Sequence, residues 1–477
     1  MGVRIQTIWV SAGNFVSRIL QFAATLILAR LLLPEDFGLI ATIQSVTGLL
    51  GLLASNGWGQ ALVREKELDE ITCHTVFTFQ LVVFLISVLV LLLFSDAIAG
   101  FFGSALMASL LPVASLALIM RPFQTVPSAL LNRRTKFSSI AVVNTLAALI
   151  PPFFSIPLAY FGFGPWSLVA GQLVSVMVTS LGLAYYSRYR PRLMFSFPRF
   201  MATFSVSSQF VIFAVLEHLT NWAPIAIVTK RIGLNPAGIL QRGVSTAQIP
   251  SDLTAQSLTP PLFRAMAASD EKEKAAYYLR AIGATTLYLW PVAVLLFIYS
   301  HETIDLLYGK NWHQAGPVLS IFSGFLLFFA IYSPSRTVLS SGVGLTFLVV
   351  VRMVGTAVML SAVWIVAIRG LNAVVFWIVG LYALETLIIL AQAMKILAIP
   401  FTIPLKVMFP PFLGSMAMLA TKALLVDSSS NFFFIFEAAL LGSVYLIVVA
   451  ALHHHNPESK LLVSKMRALV GVEGGKD

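Results

Sequence analysis

Charged residues and cysteine are scarce in this chain. Only 11% of its 477 residues are Asp, Glu, Lys or Arg, and 20 acids stand against 31 Lys and Arg. Cys73 is the single cysteine, which excludes an internal disulfide and a cysteine-based metal site. The phosphate-binding pattern G-x-x-x-x-G-K-[ST] is also absent, so the sequence offers no ordinary site for ATP hydrolysis.

Apolar residues are abundant instead. They make up 58% of the chain, with 36 Phe, and the mean hydropathy is +0.88. A globular core could not hide that much apolar surface. Because a helix needs about 20 apolar residues to cross a bilayer, the sequence predicts an all-α polytopic membrane protein with about 14 transmembrane helices. The predicted spans are 8–33, 36–62, 74–98, 106–131, 138–162, 165–187, 203–229, 235–262, 276–300, 314–335, 341–367, 371–394, 403–425 and 432–452.

The net charge of +11 is distributed unevenly between the connections. If the N-terminus is cytoplasmic and the spans alternate, the outer connections hold only Lys230, Arg231, Lys310 and Arg369. The other cations outside the spans fall on the cytoplasmic side, which is the positive-inside pattern. The charge therefore sets topology and does not indicate nucleic acid. We expect a multi-pass protein of the cell inner (cytoplasmic) membrane with both termini in the cytoplasm.

A weak internal repeat relates the two halves of the chain. Arg30, Leu33 and Gly38 match Arg231, Leu234 and Gly238 at a nearly constant spacing. Since each copy has an even number of spans, the copies share one orientation and form a parallel pseudo-twofold repeat. The sequence predicts a six-helix lobe at 1–198, a second at 199–398, two appended transmembrane helices at 399–453 and a cytoplasmic tail at 454–477.

Three stretches carry a resemblance to a known family. They are LARLLLPEDFGLIA at 28–41, NGWGQAL at 56–62 and LYGKNW at 307–312. The chain resembles the polysaccharide-transporter family, the Wzx-type O-antigen and exopolysaccharide flippases of the multidrug/oligosaccharidyl-lipid/polysaccharide exporter superfamily. It looks most similar to the colanic-acid or succinoglycan exporters.

The resemblance implies a transporter and not an enzyme. It implies that an undecaprenyl-pyrophosphate-linked oligosaccharide repeat unit moves from the cytoplasmic to the periplasmic leaflet during surface polysaccharide synthesis. The expected partners are that undecaprenyl-linked oligosaccharide and membrane lipids, together with a polysaccharide polymerase and a chain-length regulator. No nucleic acid is expected.

Ionisable residues inside the spans are candidates for the substrate site, because charge in hydrocarbon is costly. A guanidinium matches phosphate oxygens with two hydrogen bonds, which suits a pyrophosphate. We therefore predict alternating access through an arginine-lined cavity in which polar side chains bind sugar hydroxyls. The predicted cavity residues are Arg18, Arg30, Arg121, Arg242, Arg352, Asn14, Gln21, Asn56, Gln60 and Gln80.

Each embedded cation also has a structural interpretation. Arg30 could extend its side chain to the headgroups, and carbonyls freed beside Pro122 could hold Arg121. Arg242 could pair with Glu217. Asp252 lies about 15 Å from Arg242 along one helix, which is too far for a direct pair.

Coupling to a proton or sodium gradient is assigned to four residues, and no cofactor is expected. They are Glu217, His218, Asp252 and Glu385. Imidazole as a group titrates near neutral pH, which makes His218 a candidate, although a structural hydrogen bond is its simpler interpretation. Glu385 could instead pair with Arg352. The triplet His453 to His455 fits a basic end of a span better than a metal site. No catalytic residue or metal is expected.

Two rival classes of function remain open. One is another transporter of the same fold, either a peptidoglycan-precursor flippase or a cation-coupled drug exporter; the latter needs acids where the first lobe offers arginines. The other is a polyprenyl-dependent glycosyltransferase using Glu35 and Asp36. Their connection is too short to hold an acceptor, and a cap at the start of the second span explains both acids.

Overall fold

The computed structural model describes residues 20–55, 57–65, 68–268, 271–340, 344–425 and 433–455. Every regular element within these residues is helical. The helices are α1 (Leu20–Leu31), α2 (Pro34–Ser55), α3 (Trp58–Arg64), α4 (Glu70–Leu93), α5 (Ser95–Phe102), α6 (Ala105–Ile119), α7 (Pro122–Arg133), α8 (Phe137–Leu149), α9 (Pro152–Tyr160), α10 (Trp166–Ser187), α11 (Phe197–Ile232), α12 (Leu234–Ala268), α13 (Glu271–Ile298), α14 (Ser300–Tyr308), α15 (Ala315–Ser340), α16 (Leu345–Val366), α17 (Leu371–Ile396), α18 (Thr402–Leu424) and α19 (Phe433–His455). Short 3₁₀ helices follow α14 and α16 at Lys310–Trp312 and Ala367–Arg369.

Proline divides two of the predicted spans into consecutive helices. The span 106–131 contains α6 and α7, which meet at Pro122, and the span 138–162 contains α8 and α9, which meet at Pro152. Proline has no N–H to donate to the preceding turn, so each begins a new helix where the ladder is interrupted.

Ten of these segments are long and apolar enough to cross a membrane, which makes the chain a multi-pass membrane protein. They are α4, α6 with α7, α8 with α9, α10, α13, α15, α16, α17, α18 and α19. The described part of α1 is apolar but shorter than a bilayer crossing. The total of fourteen stays a prediction.

The helices α11 and α12 are unusually long, with 36 and 35 residues. At 1.5 Å per residue each extends for more than 50 Å, beyond the roughly 30 Å of a hydrocarbon core. Both continue through internal prolines, Pro224 in α11 and Pro250 in α12. Neighbouring helices and hydroxyl side chains tolerate such breaks in membrane proteins.

Contacts group the chain into two compact units. The first comprises 1–241, 307–312 and 360–370. Its core contains Ile43 of α2, Phe84 of α4 and Leu110 of α6, all nearly inaccessible to solvent. This grouping follows packing within the chain and not the predicted repeat, so the division into lobes at 1–198 and 199–398 stays a prediction.

The turn between α1 and α2 is closely held in the first unit. The helix α2 begins at Pro34, and the carboxylate of Asp36 accepts the backbone N–H of Leu33 at 2.9 Å. The predicted capping role is thereby confirmed for Asp36, and Glu35 lies in the same first turn. The indole of Trp312 donates to the carbonyl of Ala29 at 2.7 Å and packs edge-on against Phe37.

Equivalent glycines of the repeat meet where α2 crosses α12. A Cβ atom on Gly38 would overlap the carbonyl oxygen of Leu234, and a Cβ on Gly238 would overlap that of Pro34. The contact is reciprocal, since each glycine faces the residue four positions before the other. Only glycine permits backbones to approach this closely.

The second unit comprises 242–306, 313–359 and 371–477. Its core includes Tyr278 of α13, Leu339 of α15 and Ile389 of α17. The helices α18 and α19 pack on α13, where the hydroxyl of Tyr445 donates to the carbonyl of Leu287 at 2.8 Å. Gly414 of α18 leaves room for the ring of Tyr445.

The glycine crossing predicts a strong asymmetry between alanine substitutions. Gly38→Ala or Gly238→Ala should destabilise the protein by about 1–3 kcal/mol or more, because the added methyl meets backbone that cannot move aside. Thermal unfolding of the detergent-solubilised chain measures this. Gly100→Ala in α5 is the matched control, since its Cβ would meet nothing within 4 Å. Equal melting temperatures for all three variants would contradict the close approach.

Candidate functional site

Two of the predicted site residues form a buried ion pair in the second unit. Arg352 of α16 places Nη1 3.1 Å from Oε2 of Glu385 and 3.3 Å from its Oε1. The two residues are only 7% and 9% exposed. The hydroxyl of Tyr332 on α15 donates to Glu385 at 3.5 Å. The pair therefore links three helices through one carboxylate.

This pairing favours the structural interpretation of both residues. The guanidinium of Arg352 compensates the charge of the buried Glu385 carboxylate. Two groups that neutralise each other are less suited to bind a substrate or an ion. Their predicted roles, Arg352 in the cavity and Glu385 in ion coupling, stay predictions. In the described structure the two side chains form an ion pair with each other.

His218 contacts the first unit's α2 through its ring. Its Nε2 lies 2.9 Å from the backbone oxygen of Ser45, which can only accept, so Nε2 carries the hydrogen. Gly48 supplies the space for the imidazole. Thr229 lies eleven residues, about three turns, further along α11, and its hydroxyl lies 2.6 Å from that of Thr42 on α2. The histidine thus joins α11 to α2.

Arg242 lies about two turns after the start of α12 and is half-buried. Its carbonyl accepts the hydroxyls of Ser245 and Thr246 at 3.2 and 2.8 Å. The hydroxyl of Ser251 is bonded in the same way to its own helix. The hydroxyl groups of α12 are thus satisfied by carbonyls of the same helix. Arg242 is the charged residue in its turn of the helix.

The remaining described candidates are dispersed. Arg30, Arg121, Gln21, Gln60 and Asp252 are exposed, Glu217 is half-buried and Gln80 is fully buried in α4. Arg121 occupies the junction of α6 and α7, where its carbonyl accepts the N–H of Gln124 at 2.9 Å. Arg18, Asn14 and Asn56 lie outside the described residues, as do the side chains of His453 to His455.

One polar cluster of the second unit has a residue that sequence reasoning missed. Lys422 of α18 and Tyr299 both bond to Oε2 of Glu437 on α19 at 2.9 Å. Tyr299 follows α13 directly, and the cluster secures the two C-terminal helices to it. Glu437 and Lys422 stand in two apolar predicted spans, which is the sequence signal for their pairing. Nothing in the sequence distinguishes Tyr299 from the other eleven tyrosines.

Within the residues that the structure describes, no group of three His, Cys, Asp or Glu is arranged to hold a metal ion. His74 and Cys73 at the start of α4 are both buried. The imidazole of His74 contacts Tyr189 and the backbone of Arg192. Both contacts belong to the connection between α10 and α11.

Comparison with known proteins places the chain in a family. A family described as polysaccharide biosynthesis protein matches residues 27–317, more than half of the sequence. The chain belongs to that family. The match begins at the α1–α2 turn and includes the stretch around Trp312, so the motifs that carried the resemblance lie within it.

Two curated members are similar over about two thirds of the chain. The succinoglycan biosynthesis transport protein ExoT of Rhizobium meliloti is 29% identical over 64% of this chain and 62% of its own length. The lipopolysaccharide biosynthesis protein WzxC of Escherichia coli is 22% identical over 67% of each chain. The chain thus matches less than two thirds of the first relative.

Among solved structures, the lipid II flippase MurJ in an inward closed conformation shares the fold. The TM-score is 0.79, with 94% of this chain and 99% of that chain covered, at 16% sequence identity. At that identity the likeness concerns architecture alone. It supports a polytopic helical fold for this member of the polysaccharide biosynthesis family.

The buried pair yields a double-mutant prediction. Arg352→Leu or Glu385→Leu should each cost about 3–5 kcal/mol, because the remaining charge is left buried without its partner. The double variant should recover most of that loss, since it buries no charge. Thermal unfolding in detergent of all four forms gives the coupling energy. Losses that simply add would contradict a direct interaction between the two side chains.

Proposed function

We propose that this member of the polysaccharide biosynthesis family is a flippase. It moves an undecaprenyl-pyrophosphate-linked oligosaccharide from the cytoplasmic to the periplasmic leaflet of the inner membrane, by alternating access along a path lined with arginines. The proposal rests chiefly on one observation. Cations lie on apolar helices of both halves, and the two buried acids among the described residues, Glu385 and Glu437, are each paired with a cation.

Arg242 is the residue that we assign to the pyrophosphate. It carries a permanent charge near the start of a long helix that is too polar to face lipid along its whole length. A guanidinium donates in a planar fork that matches two phosphate oxygens, and the strength of such bonds increases away from bulk water. Arg18 and Arg30 of the first predicted span are assigned supporting roles.

Glutamine side chains are suited to the sugar portion. Gln241 has a buried side-chain oxygen that no hydrogen-bond donor contacts within the described part of the chain. Gln60 is exposed on α3 and offers both a donor and an acceptor. Sugar hydroxyls donate and accept equally well, so amides can bind several different repeat units without a change of fold.

Two relatives support a saccharide cargo. One is named for succinoglycan transport and the other for lipopolysaccharide biosynthesis. A peptidoglycan-precursor flippase shares the fold. Its cargo also carries a pyrophosphate, so the charge of the cargo does not distinguish that function from the one proposed. A cation-coupled drug exporter would need embedded acids, whereas Glu385 and Glu437 are both paired with cations.

Energy coupling is proposed to use a proton or sodium gradient. Glu217 and His218 of α11 are the leading candidates, because both lie half-buried on the helix that packs against α2. His218 is bonded to Ser45 through one nitrogen, which leaves Nδ1 to gain or lose a proton. Asp252 on α12 is the exposed alternative.

Removal of the assigned arginines should abolish transport while leaving an inserted protein. In a strain that depends on this chain for surface polysaccharide, Arg242→Ala and Arg18→Ala should each eliminate the polymer. Arg242→Lys should retain a fraction, about tenfold reduced, because an ammonium keeps the charge but loses the bidentate geometry. Surface polysaccharide and the amount of variant in the membrane are measured together.

Lys406→Ala provides the matched control, since this exposed lysine lies in the first turns of α18. It should leave polymer unchanged. The lipid-linked repeat unit should accumulate in the arginine variants if the substrate is the one proposed. Normal polymer in both arginine variants would refute the assignment, and accumulation of peptidoglycan precursor instead would favour the rival flippase.

A further inference from the structure

The connection between α10 and α11, residues 188–196, forms no helix or strand, and we name it the strap. It begins at Arg188, whose left-handed backbone (φ 56°) ends α10, and it lies along the start of α4. Alternate backbone N–H groups donate to α4 side chains: Arg192 to His74 at 3.3 Å, Met194 to Thr78 at 3.1 Å and Ser196 to Thr75 at 3.1 Å.

These contacts explain the polar residues at the start of α4. The helix is the most apolar span, with a mean hydropathy of 2.9, yet its first turns contain His74, Thr75 and Thr78. Thr78 lies eight residues after Glu70, about 12 Å along the axis from the start of α4. Backbone N–H groups beside an apolar helix need partners within the protein, and these three side chains supply them.

Cations and apolar side chains are both exposed along the strap. Arg190 and Arg192 are exposed, and no acid pairs with either of them within the described residues. Leu193 is 74% exposed and Phe195 53% exposed. Arg199, just beyond the strap, differs because Asp69 holds it at 2.8 Å.

The charge of Asp69 keeps the far end of the strap neutral. Its carboxylate accepts hydrogen bonds from the side chain and the backbone N–H of Thr72 and faces Arg199, and these contacts lower the pKa of Asp69 below its ordinary value. The carboxylate therefore stays ionised at physiological pH and offsets Arg199. Within the described residues, the positive charge of the strap that no acid offsets lies on Arg188, Arg190 and Arg192.

We propose that the strap is a binding surface for anionic phospholipid headgroups. Arg190 and Arg192 hold the phosphates, and Leu193 and Phe195 enter the boundary between headgroups and acyl chains. Basic and apolar residues in one in-plane segment are the pattern of interfacial elements. Each basic residue at such a surface strengthens binding of anionic lipid about fivefold. Neutral phospholipid would lack that charge complementarity.

The test uses the purified full chain in nanodiscs that mix phosphatidylglycerol with phosphatidylcholine, and native mass spectrometry counts the retained lipid. Arg190→Gln/Arg192→Gln should weaken phosphatidylglycerol retention by at least tenfold, and Arg190→Lys/Arg192→Lys should keep most of it. The control Arg264→Gln/Lys406→Gln removes the same charge from exposed positions elsewhere and should retain lipid as the parent does.

A second measurement stays informative if a variant is unstable. A nitroxide on Phe195→Cys, in a Cys73→Ser background, should be relaxed by oxygen in the bilayer and shielded from water-soluble nickel. Equal phosphatidylglycerol retention by the strap and control variants, or a nitroxide accessible to nickel, would overturn the proposal.

Discussion

The structure depends on one constraint: polar and charged groups within apolar helices must find partners inside the protein. A bilayer offers no water to satisfy them, so each unpaired group would cost several kcal/mol. The described residues meet this requirement by ion pairs and by hydrogen bonds to backbone carbonyls. Glu385 neutralises Arg352 and Glu437 neutralises Lys422, while His218 donates to a carbonyl of α2. Hydroxyls on α12 bond to their own helix.

The same constraint gives the arginines their functional meaning. A cation on an apolar helix persists only where it is compensated, reaches the headgroups or serves a ligand that brings negative charge. Arg352 belongs to the first group. The strap arginines fit the second, and Arg242 on the polar helix α12 is the one that we assign to the third. In this account, one residue type performs three roles, distinguished by depth and neighbours.

Hydropathy and proline were sufficient to predict much of the fold. Ten helical segments of the described residues are long and apolar enough to be spans, and α2 begins at Pro34 with Asp36 in its cap, as the capping pattern indicated. Pairings across long sequence separations were less accessible. The partners Arg352 and Glu385 were named as one option among several, because a sequence shows charges but not which helices face each other. The strap was missed, since its partners Thr75 and Thr78 are ordinary residues whose role depends on a backbone 116 or more positions away.

Direct binding of a polyprenyl pyrophosphate tests the central claim most directly. The purified chain in neutral-lipid nanodiscs is titrated with undecaprenyl pyrophosphate and, separately, with undecaprenol, which shares the tail but lacks the charge. The account predicts saturable binding of the pyrophosphate, weakened at least tenfold by Arg242→Ala, with little binding of the alcohol. Equal affinity for both lipids, or binding that Arg242→Ala leaves unchanged, would contradict recognition of the pyrophosphate by this arginine.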